Sequence, residues 1–323
     1  MPKTSTDLPG AMPPGPGAMA PGPRVALSGP TMGSRWSALL YPSGAHDRDA
    51  LGAALQEVVS RVDRQMSSWD PASDLNRLNA APVGTWVAIP PDLAAVLAAG
   101  IEIGAASGGA FHIAAGALVR AWGFGGAGRP NPGAIAALAG RPLPSGPDLL
   151  QIDRPGCRAR KRAPLALDLS GIAKGFGVDE MARVLAGAGV TAFLVGIDGE
   201  LRARGTKPDG RPWAVGHERP EPGLRSLAGV LELTDCAVAT SGSYRHRRRI
   251  GDRTVSHTMD PRTGAPASNR LVSVTVLAET CMVADAWATA LLVLGETEAV
   301  RLAERSGLRA LFVRSDGQVV STL

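Results

Sequence analysis

The run Ala284-Asp285-Ala286-Trp287-Ala288-Thr289-Ala290-Leu291-Leu292 constrains this chain more than any other stretch. An apolar, alanine-rich segment of this kind reads as a buried helix, so the fold must supply a core around it. The run also carries Asp285 into that core, and a buried carboxylate is costly unless something pairs with it. Thr289 follows four residues later, on the same helical face. A carboxylate and a hydroxyl on one face suit a hard, oxygen-seeking cation such as Mg²⁺. The other reading makes Asp285 the N-cap of the helix and Thr289 an ordinary first-turn residue.

Two upstream segments weigh on that choice. Asp260-Pro261-Arg262-Thr263-Gly264 is turn chemistry and could be a hairpin turn alone. Yet His257 stands three residues before it, and Thr240-Ser241-Gly242-Ser243 lies further upstream. Small polar groups and glycines at this density can wrap a phosphate in backbone N–H groups. In Ala166-Leu-Asp-Leu-Ser-Gly-Ile-Ala-Lys-Gly175 a short strand ends at Asp168, and Ser170-Gly171 opens a helix carrying Ile172, Phe176, Met181, Val184 and Leu185. A strand-turn-helix start directs N–H groups at whatever lies above it, which suits a diphosphate. Lys174 faces the same entrance. Of 34 basic residues only four are lysine, which singles it out. The alternative is an N-cap serine beside a surface lysine.

Composition excludes several function classes. With 323 residues, 45% hydrophobic and 20% charged, the chain can bury a sizeable core in one large domain or two small ones. A net charge of +5 is compatible with an anionic nucleotide and does not indicate nucleic acid. The basic run Arg245, Arg247, Arg248 and Arg249 has only Tyr244 beside it, so it reads as solvated. Cys157, Cys236 and Cys281 form neither a disulfide framework nor a zinc pattern. No apolar run approaches the ~18 residues of a membrane span. Residues 1–23 are rich in Pro, Gly and Ala and read as a disordered leader, not a signal peptide. A cytoplasmic location is therefore expected, with a periplasmic or inner-membrane-associated one as the alternative.

Periodicity supplies the elements. Residues 24–41 read as a hairpin around Ser-Gly-Pro-Thr-Met-Gly-Ser. Residues 47–66 form an amphipathic helix with Leu51, Leu55, Val58, Val59, Val62 and Met66 on one stripe. Leu75 and Leu78 anchor the turn that follows, and residues 91–106 are a second helix. Residues 126–163, broken by proline and glycine, read as an irregular insertion ending in a solvated basic turn at 158–162. Residues 190–205 are two strands around a glycine turn. Trp213 starts another strand, and 229–233 and 237–240 continue a sheet. A helix at 296–306 and a hairpin of 308–313 with 319–322 close the chain. The sum is an α+β fold with mainly antiparallel sheets flanked by helices, over residues 24–323.

The motifs Ala-Thr-Ser-Gly-Ser-Tyr, Ser-His-Thr-Met-Asp-Pro-Arg-Thr-Gly and Ala-Asp-Ala-Trp-Ala-Thr-Ala-Leu, in this order and spacing, resemble the ApbE family of FAD:protein FMN transferases. Asp-Leu-Ser-Gly-Ile-Ala-Lys-Gly at 168–175 resembles that family's Asp-Leu-x-x-Ile-Ala-Lys-Gly. The resemblance implies an ApbE-like fold and Mg²⁺-dependent transfer of FMN from FAD to a Ser or Thr hydroxyl of an acceptor flavoprotein subunit, with release of AMP. It implies Asp285, Thr289 and the carbonyl of Gly171 as metal ligands. It implies Met32, Trp69, Ala110, Phe111, His112, Asp168, Lys174 and Met259 around FAD. His257 is the candidate acid/base near the acceptor hydroxyl, or else a cap on the Asp260 turn. The chain departs from the family pattern at His112, where Asp is usual, and at Gly196 and Asp198. Hydrolysis of FAD to FMN and AMP, or FAD binding without catalysis, are the alternative functions.

Overall fold

The computed structural model describes residues 23–42, 46–125, 128–141, 143, 149–218, 227–244, 247–250 and 253–323. The leader expected over residues 1–23 lies outside these but for Pro23, and so does Arg245.

The chain opens as the expected hairpin, with a tighter turn. β1 (Val25–Thr31) and β2 (Ser34–Leu40) pair from Val25↔Leu40 to Thr31↔Ser34. Only Met32 and Gly33 are left as loop, at φ 47° and 70°, the two positive dihedrals that match strand twist in a two-residue hairpin. Residues 28–31, expected in the turn, are strand. α1 (Arg48–Met66) starts on Asp47, whose carboxylate accepts the Asp49 and Ala50 N–H groups, and buries the expected stripe. Leu75 and Leu78 sit on a helix instead of a turn, α2 (Asp74–Ala80), capped by Ser73 and fully buried at both leucines. β3 (Val87–Ala88), α3 (Pro91–Ala106) and α4 (Gly116–Ala121) follow.

The described residues of the segment expected to be an irregular insertion include regular elements. It contains α5 (Pro132–Leu138), β4 (Leu150–Asp153) and β5 (Arg158–Lys161), and the strands form a three-stranded sheet in the order β3-β5-β4. The basic residues are strand, not a solvated turn. The guanidiniums of Arg158 and Arg160 lie 4.7 and 4.6 Å from the Trp86 ring centroid, so cation–π contact absorbs the charge that the sequence assigns to water. Lys161 is buried and donates to the Asn79 carbonyl.

The remaining elements are α6 (Ala173–Gly187), β6 (Phe193–Ile197), β7 (Glu200–Arg204), β8 (Trp213–Glu218), β9 (Leu227–Leu233), β10 (Ala237–Gly242), β11 (Arg247–Ile250), β12 (Arg253–Ser256), β13 (Met259–Asp260), β14 (Ala265–Pro266), β15 (Leu271–Ala278), α7 (Cys281–Leu294), α8 (Glu296–Arg305), β16 (Arg309–Arg314) and β17 (Val319–Ser321). An eight-stranded sheet of order β1-β2-β6-β7-β10-β15-β16-β17 is antiparallel at every pairing. α1, α6 and α7 pack on one face through Ala38, Ala239, Val274 and Val276. The β8–β9 hairpin covers Val238 and Leu277 on the other. The basic run is partly strand. Arg248 donates to the Gly128 carbonyl and stacks 5.5 Å from the Phe124 centroid, while Arg249 is exposed.

α7 is the buried helix that the sequence demands. Its N-cap is Thr280, accepting from the Val283 N–H, so Asp285 lies past the first turn and caps nothing. α6 crosses close by: a Cβ on Gly175 would stand 2.4 Å from the Cys281 carbonyl oxygen, so only glycine lets these backbones meet. Among the described residues no helix is long and apolar enough to cross a membrane.

Candidate active site

A cleft of ≈ 1370 Å³ opens between the end of α1, the start of α6, α7 and the ends of β7 and β10. Met32, Trp69, Ala110, Phe111, His112, Asp168, Gly171, Lys174, His257, Met259, Asp285 and Thr289 all line it. Every candidate site residue is thus brought to one place, from segments spread over most of the chain.

The floor is a buried charge cluster where α6 meets α7. Asp179 on α6 accepts the Cys281 and Met282 N–H groups, each at 2.9 Å, and pairs with Arg202 at 2.6 Å. A carboxylate on a helix N-terminus is favourable, and it locks α7 against α6. One turn further along α7, Asp285 is 4% exposed, and its Oδ2 accepts the Gly175 N–H at 3.1 Å. Burial pushes its carboxyl up to about 7. The Glu200 charge adds to that shift, and Lys174 and the Gly175 N–H oppose it. Lys174 donates to Glu200 at 2.8 Å and lies 3.6 Å from Asp198. Burial alone would lower its pKa, but Glu200, Asp285 and Asp198 together hold the ammonium well above its ordinary range.

Next to the cluster runs a strip of oxygens. Thr289 Oγ1 is 2.9 Å from Ser241 Oγ, and a Cβ on Gly171 would stand 3.2 Å from that threonine oxygen. The loop leading into α6 therefore lies directly against α7, and the strand expected to end at Asp168 is reduced to an isolated bridge between Ala166 and Ala115. Asp168 at its entrance accepts the Ser170 N–H at 2.9 Å. Ser170 is not the cap of α6, which begins at Ala173 after Ile172. The donor set around Asp285 is all oxygen. Among the described residues no group of three or more His, Cys, Asp or Glu could cage a metal. One carboxylate, one hydroxyl and nearby backbone carbonyls fit a hard cation that keeps several of its waters, as Mg²⁺ does.

The other end of the cleft is apolar and aromatic. Trp69 is 69% exposed, held out by a rigid loop. Ser67 Oγ accepts the Trp69 and Asp70 N–H groups, and the Ser67 carbonyl accepts from Ser73 and Asn76. At this exposure the ring does not pack into the core. Ala110, Phe111 and Met259 are buried in the wall. His257 sits edge-on to Phe124, centroids 6.4 Å apart. The Asp260 turn is held by its own groups: Asp260 Oδ1 accepts the Arg262 N–H, and the Asp260 carbonyl accepts the Gly264 N–H.

The profile of the ApbE family matches residues 32–312. A relative from Vibrio cholerae, named FAD:protein FMN transferase, is 36% identical over 286 residues, covering 88% of this chain and 85% of that one. One from Klebsiella pneumoniae with the same name is 32% identical over 90% of this chain and 85% of its own length. The crystal structure of the apo flavinyl transferase ApbE from Pseudomonas stutzeri superposes with a TM-score of 0.81 at 35% identity, covering 94% of this chain and 96% of that one. The chain belongs to the ApbE family.

Its departures from the ApbE pattern have local explanations. His112 Nδ1 accepts the Ala114 N–H at 3.0 Å, so a neutral ring carries its proton on Nε2. Gly196 is steric: a Cβ there would meet Leu201 Cδ2 at 2.2 Å. Asp198 adopts φ 60° in the two-residue turn between β6 and β7, a conformation that Asp tolerates better than most residues. Its carboxylate adds a second anion beside Lys174.

Three residues of this ApbE cleft escape sequence reasoning. Glu200 carries the ion pair to Lys174, yet in sequence it is one charged residue on an ordinary strand. His217 Nε2 and Thr275 Oγ1 are 3.2 Å apart, and Thr275 bonds Thr240 at 2.8 Å. They come from distant strands. The one available signal was a polar residue at an inward strand position, as at Thr275 within Val274-Thr275-Val276.

Proposed function

We propose that this protein transfers FMN from FAD to a serine or threonine hydroxyl of an acceptor protein and releases AMP, using Mg²⁺. One observation carries the reading: a polar pole of Asp285, Thr289 and Gly171 and an aromatic pole around Trp69 share one cleft. That matches a dinucleotide with a flat, apolar ring at one end and a diphosphate next to it. Relatives named FAD:protein FMN transferase, similar over 88–90% of this chain, support the same reaction.

Asp285, Thr289 and the Gly171 carbonyl would hold the ion. When bound, it neutralises the diphosphate and stabilises charge building on its oxygens. The rest falls to the protein's own groups. Lys174, kept protonated by Glu200, adds a fixed positive charge at the same end. Met32, Trp69, Phe111 and Met259 flank the isoalloxazine. The acceptor oxygen attacks the phosphorus of the FMN half, and the bond from that phosphorus to the bridging oxygen breaks. AMP leaves with the bridging oxygen. The hydroxyl proton passes to His257, whose ring is steadied by Phe124. Positioning and electrostatics supply most of the rate in such phosphoryl chemistry.

The test is to incubate the protein with FAD, Mg²⁺ and a candidate acceptor subunit, then to follow acceptor mass and AMP together. An acceptor heavier by one FMN, with matching AMP, is the expected result. AMP without that gain means that water is the acceptor. Bound FAD with neither means a binding protein. A second measurement isolates the aromatic pole. Trp69→Ala will weaken FAD binding roughly fivefold to tenfold, the loss of about 1 kcal/mol of ring stacking. The melting temperature will not move, since the ring is exposed. Fluorescence titration and a thermal melt check both.

A further inference from the structure

The eight-stranded sheet has a gap, and the cleft runs into it. β7 and β10 pair only at Ala237↔Arg202 and Val238↔Leu201, continuing from the bond of the Ala203 N–H to the Cys236 carbonyl at 2.8 Å. Beyond Val238 the chain of β7 turns back through Gly199 and Asp198 into β6. β10 continues to Gly242, paired on its other side with β15 as far as Gly242↔Ser273. Backbone groups alternate sides along an antiparallel strand. Cys236 and Val238 face β7, so Thr240 and Gly242 direct their N–H and C=O groups the same way, while those of Ser241 face β15. Among the described residues nothing pairs with that edge. The cleft lies there, with Asp198 to Leu201 on one side and Thr240, Ser241 and Gly242 on the other. An open strand edge is a template for another chain. This one runs over the three residues Thr240–Gly242, lines the cleft, and carries Ser241 beside Thr289.

We propose that the acceptor protein docks as an extended segment, added antiparallel to the Thr240–Gly242 edge, with its reactive Ser or Thr opposite Ser241. This rests on the transfer reading given above. The two backbone pairs then form at Thr240 and Gly242. The residue opposite Ser241 is the non-hydrogen-bonded position between them, with Cα atoms roughly 4.5 Å apart and side chains at their closest. Its hydroxyl lies on the face of Ser241 Oγ, which is 2.9 Å from Thr289 Oγ1. The residues flanking the hydroxyl point to the opposite face. There the cleft is lined by Val215, His217 and Leu231 of the β8–β9 hairpin. Small or apolar flanking residues fit these walls, and charged ones do not. Main-chain pairing supplies the affinity and the flanking pockets the selectivity.

The experiment uses a library of nonapeptides with a fixed central threonine and varied flanks, incubated with the full chain, FAD and Mg²⁺. A subset should gain the mass of FMN. In an accepted peptide, N-methylation of either residue next to the threonine should cut labelling at least roughly tenfold, because those N–H groups bond β10. N-methylation of the threonine itself should leave labelling within about twofold, because its N–H points away. Thr240→Pro removes the outward N–H, and proline is tolerated on such an edge. It should slow labelling by a similar factor, well beyond any change in FAD affinity measured alongside. Failure to label any peptide by protein that binds FAD and modifies a whole acceptor would overturn the proposal. So would equal loss on N-methylating all three positions. Protein that binds no FAD would instead refute the transfer reading beneath it.

Discussion

Replacing Asp285 with asparagine will abolish Mg²⁺-dependent AMP release from FAD and, without metal, make the protein more stable at pH 8. Losing an anionic ligand at the diphosphate should cost at least roughly 10²-fold in turnover. The stability gain follows from burial. Asp285 is 4% exposed, and its carboxyl is pushed up to about 7 from 3.8. Its folded pKa therefore lies above its unfolded one. The contribution that this makes to stability is complete below about pH 3.8 and is lost as the pH climbs through about 7. Asparagine does not titrate and escapes that loss. Thermal melts without metal should show the variant's margin over the parent widening by a few degrees between pH 5 and pH 8. Unchanged Mg²⁺-dependent turnover would remove Asp285 from the metal site. A variant less stable at both pH values would contradict the account of a carboxylate held at a cost for function.

The second large effect is opposite in sign. Lys174→Met will destabilise the protein by about 3–5 kcal/mol, as expected when one partner of a buried ion pair is removed. Glu200 has a side chain only 5% exposed and contacts Lys174 at 2.8 Å. Without the ammonium its charge has Asp285 as a close neighbour and only the Gly199 N–H, donating at 3.1 Å, against it. Adding Glu200→Gln to Lys174→Met should recover most of the loss, because the stranded charge is gone, and the two changes will be strongly non-additive. Urea denaturation of the single and double variants measures this. A loss under about 1 kcal/mol for the single variant would mean that water already compensates Glu200. FAD affinity should stay low in both variants, since the cation facing the phosphates is absent from each.

Much of the molecule was legible in its residues, for identifiable reasons. The stripe on α1 and the closing hairpin are periodic, and periodicity survives folding because it describes which face meets the core. The twelve site residues could be named because they lie in short motifs whose order resembles one family. Their convergence on one cleft is a fact of the fold. The misreadings have two causes, partners distant in sequence and elements too short to show a pattern. Residues 158–162 look solvated until Trp86, just before β3, reaches Arg158 and Arg160. The segment 126–163 looks irregular because its strands are four residues long and one of them, β5, pairs with β3, distant in sequence. Leu75 and Leu78 looked like a turn because a seven-residue helix has little pattern to show.

By itself the sequence determined that a carboxylate would be carried into a buried helix, that a hydroxyl would share its face, and that the sheets would be antiparallel. Those properties are local: they follow from spacing along the chain and from what water rejects. Only the tertiary structure decided what Asp285 would face. Glu200, Lys174 and Asp179 come from strands and helices that meet it only after the chain has closed. It also decided where the sheet would open, because the length of β7 relative to β10 leaves the β7-facing backbone groups of Thr240 and Gly242 without a strand partner among the described residues, and no spacing within either strand encodes that difference.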